Sequence, residues 1–157
     1  MKQTSLFFIL LTIIIGLTSC TTAVQKEEDS PNDGVDVLYF HGKQRCATCQ
    51  AIEKETKELI DTQFADEVKD GKLRFRIIDI TKAENEALAD KYEITWSSLV
   101  LVKYNAGSVI DEVASHQKST ICEEKAENLT QFAFANARSN PAQFKTELAA
   151  KINQMLK

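Results

Sequence analysis

Short blocks of hydrophobic residues, separated by charged punctuation, alternate along this chain between the spacing of a strand and that of a helix. Residues 35–41, Val-Asp-Val-Leu-Tyr-Phe-His, form an apolar run of the length a buried strand requires. From Gln50 to Lys69 the positions Ile52, Thr56, Leu59, Ile60, Phe64 and Val68 fall mostly three or four apart, which predicts one amphipathic helix ended by Asp70-Gly71. Residues 72–80 alternate basic with apolar and then become wholly apolar, the pattern of a strand that runs from an exposed end into a core. A helical crossover between these two strands makes them parallel neighbours. Thr81 with Glu84 three residues on fits a capping box, so a short helix is predicted through Ala87, Leu88 and Tyr92.

The second half predicts a third strand at 98–104 and a fourth at 109–113, an antiparallel hairpin joined through Asn105-Ala106-Gly107-Ser108. Two helices follow. One is capped near Thr120 with Glu123 three on and runs through Leu129, Phe132 and Phe134. The other starts at Asn140-Pro141 and turns Phe144, Leu148, Ile152 and Met155 to one side. Together these elements imply an α/β domain with a four-stranded mixed sheet and helices on both faces.

The N-terminus changes the picture. Lys2 carries the only charge ahead of an apolar segment from Leu6 to Leu17, too short for an ordinary membrane span and shaped like a signal peptide. Leu17-Thr18-Ser19-Cys20 follows and resembles the bacterial lipobox, in which the cysteine is lipidated and becomes the new N-terminus. The expected organisation is therefore a lipoprotein signal peptide at 1–19, a lipidated Cys20 with a polar tether to residue 34, and a folded domain at 35–157. Loss of Lys2 leaves the mature chain slightly more acidic than the formal −4 of the full sequence, and no basic stripe remains, so nucleic acid is excluded as a natural partner. The expected place is outside the cytoplasm, anchored to the bacterial membrane through Cys20, with the domain in the periplasm or on the cell surface.

Of four cysteines, three stay in the domain, and that odd number argues against a framework of structural bridges. Cys46-Ala47-Thr48-Cys49 closes the first predicted strand and opens the first predicted helix, the context that makes a C-x-x-C a redox motif. A sulfur at the first turn faces the unsatisfied N–H groups and the positive end of the helix dipole, which favours thiolate. Cys46 is the candidate nucleophile and Cys49 its resolving partner. His41, Lys43 and Arg45 are candidates for lowering the Cys46 pKa further. Cys122 stays open between a buried apolar residue, a spare thiol and a third partner for the pair; burial suits a free cysteine best.

With the strand into Cys46-Ala47-Thr48-Cys49, the second strand ending at Asp79, and residues 92–99 leading into a hairpin, the chain resembles the thioredoxin superfamily over most of 35–157. More narrowly, residues 39–49 with a lipoprotein signal and residues 132–141 look like a group of thioredoxin-like lipoproteins typical of Bacteroidetes, described as nitrophenyl-compound nitroreductase subunits and associated with arsenic-resistance loci. The resemblance implies a thioredoxin-like fold and a substrate loop at Trp96, Ser97 and Ser98. This chain departs from the superfamily in three places. Ser98 stands where thioredoxins carry a cis-proline. Arg45-Cys46-Ala47-Thr48-Cys49 replaces Trp-Cys-Gly-Pro-Cys, and Tyr39 or Phe40 falls where a buried carboxylate assists exchange, leaving His41 as the nearest titratable substitute.

The function expected is membrane-anchored thiol–disulfide exchange through the redox-active pair Cys46–Cys49, without another cofactor, able to pass electrons to a partner reductase and to draw them from a membrane thiol-transfer protein. The alternative is a binding protein for a soft metal or metalloid such as arsenite or copper(I), using the same two thiols with Cys122 or His41 as a third donor. A third class is an adaptor that presents Trp96, Phe132 and Phe134 to a partner enzyme.

Overall fold

A computed structural model describes residues 33–105 and 123–157. The first strand, β1 (Gly34–His41), is buried along nearly its whole length. Its side chains serve two cores in turn: Val35, Val37 and Tyr39 face one side of the sheet, Leu38 and Phe40 the other. Helix α1 (Ala47–Gln63) follows, then α2 (Ala65–Lys69), where the periodicity predicts a single helix. The break falls at Phe64, whose side chain is held in the core while its backbone leaves helical geometry at φ −127° and ψ 22°.

Strand β2 (Leu73–Asp79) pairs parallel with β1 in a register that sets His41 beside Asp79. It is an edge strand, so Ile77 remains 45% exposed where the sequence pattern predicts entry into a core. The short helix after it divides into a 3₁₀ turn, Ala83–Asn85, and α3 (Glu86–Lys91). The capping box does not form there. The Asp79 carboxylate instead takes both the N–H and the hydroxyl of Thr81, at 3.0 and 2.7 Å.

Strand β3 (Ser98–Asn105) runs antiparallel to β1 and fills the centre of the sheet order β2-β1-β3-β4. The last strand corrects the prediction: β4 is Glu123–Asn128, antiparallel to β3 from Asn105↔Glu123 to Val100↔Asn128. The strand predicted at 109–113 and its short connection fall outside the described residues. The helix predicted from Thr120 is also displaced, since Glu123 to Asn128 are extended and α4 (Thr130–Asn136) starts after them. Glu-Glu-Lys-Ala-Glu-Asn carries no apolar face because β4 is an edge, where charge guards an open row of backbone groups. The last helix, α5 (Pro141–Leu156), begins at the predicted proline and buries the predicted Phe144, Leu148, Ile152 and Met155.

Helices α1, α4 and α5 cover one face of the sheet and α3 the other, so the four-stranded mixed sheet between helices is the thioredoxin-like α/β arrangement. Among the described residues no helix is long and apolar enough to cross a membrane. A buried acid in β1, Asp36, is balanced by Arg74 of β2 at 2.5 Å, with Arg76 at 3.9 Å. The main consequence for chemistry is positional: α1 begins where β1 ends, at the carboxyl edge of the parallel pair, where open α/β sheets place their reactive groups.

Candidate functional site

Cys46 is the N-cap of α1, with extended backbone at φ −69° and ψ 165°. Its sulfur accepts the Cys49 N–H at 3.1 Å, so the candidate nucleophile satisfies one of the open donors at the helix start. Cys46 is exposed and Cys49 lies behind it, 5% exposed, both as free thiols. The two acidities separate accordingly. Donation from the Cys49 thiol, then from backbone N–H groups of the first turn, holds the Cys46 pKa below its ordinary value. Burial pushes Cys49 up, and its thiol's hydrogen bond to Cys46 raises it further.

The predicted tuning residues are placed differently. Arg45 is ion-paired with Glu53 of α1 and lies over the Tyr39 ring, 5.8 Å from its centroid, so its charge is already engaged. His41 sits at the end of β1 with Nδ1 3.1 Å from the Gly42 carbonyl, opposite Asp79 in the register with β2. Lys43 is exposed in the connection to α1. None of the three is among the principal influences on the Cys46 thiol, which come from Cys49 and the helix backbone.

Across from the dithiol, the loop before β3 divides the roles of its two serines. The Ser97 side chain acts on the Cys49 thiol and offsets part of its raised pKa. Ser98 is buried as the first residue of β3, its hydroxyl on the Trp96 carbonyl at 3.1 Å, and no peptide bond among the described residues is cis. Trp96 is 59% exposed and tilts against Phe134 at 5.4 Å between ring centroids. These two rings, with Glu93, Ile94, Ser98 and Thr130, border an open groove of about 560 Å³ beside the loop. Phe132 turns inward and stacks on Phe144.

By the superfamily resemblance, Tyr39 or Phe40 stands where a carboxylate is missing. In the fold the Tyr39 hydroxyl donates to the Cys49 carbonyl at 2.8 Å, wholly buried beneath the first turn of α1. Glu53 carries no signal in the sequence, because its pairing with Arg45 joins a connection to the second turn of the helix, a separation no periodicity reveals.

Among the described residues no group of three or more His, Cys, Asp or Glu side chains could hold a metal ion. The dithiol therefore stands as a two-sulfur site there, while Cys122 falls outside the described residues.

No protein-family model matches the sequence, and no curated protein matches it. Solved structures similar to it include the Trx4 domain of ERdj5, at 18% identity over 80% of this chain and 82% of that one, with a TM-score of 0.42. A thioredoxin-2 described as a component of malaria parasite protein secretion machinery matches at 21% identity over 79% and 85%, with a TM-score of 0.41. A thioredoxin from Thermus thermophilus matches at 14% identity over 77% and 72%, with a TM-score of 0.42.

Proposed function

We propose that this protein is a thiol–disulfide oxidoreductase in which Cys46 attacks and Cys49 resolves. The observation that carries the reading is the asymmetry of the pair: an exposed sulfur held by the helix start, with a buried thiol one turn behind it. The Cys46 thiolate attacks one sulfur of a partner disulfide, that bond breaks, and the displaced partner thiolate takes a proton from water. Cys49 loses its proton to water and attacks the Cys46 sulfur, releasing the second partner thiolate. Two electrons pass from the dithiol to the partner, which also gains two protons, and the protein is left with a Cys46–Cys49 disulfide. A dithiol donor must then reduce it.

The groove bordered by Trp96, Ser98 and Phe134 is the surface we assign to an extended partner segment. The lipobox-like sequence supports attachment to a membrane through Cys20, outside the cytoplasm, with a membrane thiol-transfer protein as the electron source. A role as the thiol subunit of a nitroreductase would mean passing electrons to a partner, since nitro-group reduction draws on a flavin or metal.

Turnover of a protein disulfide such as that of insulin tests the reading. Cys46→Ser should fall to the background of the reductant alone, and Cys49→Ser should accumulate a mixed disulfide visible on a non-reducing gel. Full turnover by the Cys46→Ser variant would sink it.

A further inference from the structure

The deepest polar contact under the dithiol is made by a residue that takes no part in the exchange steps. Tyr39 reaches from the centre of the sheet to the Cys49 carbonyl at 2.8 Å, and the N–H of the same residue holds the Cys46 sulfur at 3.1 Å. Arg45, immediately before the nucleophile, lies over the Tyr39 ring with its guanidinium carbon 5.8 Å from the ring centroid. The guanidinium is paired in turn with Glu53, on the second turn of α1. A chain of contacts thus runs from Glu53 through Arg45 and Tyr39 to Cys49, and fixes the backbone on both sides of Cys46.

We infer that Tyr39, linked through Arg45 to Glu53, is a positioning residue that sets the first turn of α1, so that the Cys46 thiolate is stabilised by a fixed backbone donor rather than by a neighbouring cation. The inference rests on the thiol-exchange reading of the same pair. Two features support geometry over charge. Burial pushes the Tyr39 hydroxyl above its ordinary range, so it remains a donor at neutral pH and takes no proton. Glu53 neutralises Arg45, so the cation next to Cys46 in sequence is spent on holding Tyr39 and the helix together. The other ionisable groups at this edge are the Cys49 thiol one turn behind, Lys43 in the exposed connection, and His41 with Asp79 at the strand ends.

The test is the pH profile of Cys46 alkylation in the reduced protein, measured for wild type, Tyr39→Phe and Glu53→Gln. Tyr39→Phe keeps the ring and removes the hydroxyl. It should raise the apparent Cys46 pKa by about half a unit, which cuts the thiolate fraction about threefold at a pH below it. Glu53→Gln keeps a hydrogen-bond acceptor for Arg45 and removes the charge. It should leave the Cys46 profile close to wild type. A folded Tyr39→Phe protein whose profile overlays wild type overturns the inference, as does a fall of the Cys46 pKa in Glu53→Gln, the sign of a released cation. Should Tyr39→Phe not fold, Arg45→Gln cuts the same chain from its half-exposed side, with the same expected rise and the same overturning result. Insulin reduction by wild type is read in parallel: an inactive wild type with a shifted Tyr39→Phe profile removes the exchange reading and leaves the positioning, whereas an active wild type with an unshifted profile removes the positioning alone.

Discussion

Cys46 and Cys49 are the same residue type one helical turn apart, and the fold gives them opposite acid strengths through exposure and hydrogen bonding. The lowered Cys46 value predicts that iodoacetamide modifies Cys46 first in the reduced protein, with a half-maximal rate below the free-thiol value of about 8.5. Equal rates at Cys46 and Cys49 between pH 6 and 8 would contradict it. Stability carries the same signature. The folded protein binds fewer protons than the unfolded chain between the lowered Cys46 value and about 8.5, so raising the pH through that window stabilises the reduced form. Above about 8.5 the raised Cys49 value acts the other way, because only the unfolded chain then loses that proton readily. Denaturant unfolding of the reduced protein should show a rise up to that pH and a fall beyond it, and Cys46→Ser should lose the rise. The identity of the two sulfurs was legible in the motif and its place between a strand and a helix. Their tuning was not: Arg45, the obvious cation, is paired with Glu53, and Ser97 rather than Ser98 acts on the acidity of Cys49.

Elements that bury an apolar stripe announce themselves in sequence, and α5 is read almost to the residue because Phe144, Leu148, Ile152 and Met155 keep one face. Helix α1 shows the same rule with two polar exceptions among its buried residues, Glu55, which pairs with Lys145 at 3.2 Å, and Thr56. Thr56 is wholly buried in its core-facing stripe, and its hydroxyl has no hydrogen-bond partner among the described residues. Replacing that hydroxyl with a methyl group of the same shape removes a desolvated donor without opening a cavity. Thr56→Val should stabilise the protein by about 1 kcal/mol in urea unfolding, with an unchanged slope. A loss of stability would mean that the hydroxyl has a partner after all. Strand β4 failed as a sequence prediction for the opposite reason. Its Glu, Lys and Ala residues favour helix when read alone, and only the hydrogen bonds offered by β3 make them a strand.

At the scale of the whole molecule, the domain carries its site at one edge, and the expected anchor lies ahead of it in sequence at Cys20. If Leu17-Thr18-Ser19-Cys20 directs lipidation, wild-type protein enters the detergent phase on partition, and Cys20→Ala should stay in the aqueous phase as a slower-migrating precursor. Continued incorporation of labelled fatty acid by Cys20→Ala would reject the anchor. Fold class, the parallel pair β1 and β2, the helix between them and the place of the cysteine pair at its start were determined by the sequence alone, because each depends on local periodicity or on residues close together in the chain. Tertiary structure alone decided the break at Phe64, the identity of β4, the exposure of Ile77 on an edge, and the contacts from Tyr39 to Cys49 and from Arg45 to Glu53. Those features depend on which strand ends up at an edge and which side chains meet across the sheet and the helix start, and such distances are set only once the chain has folded.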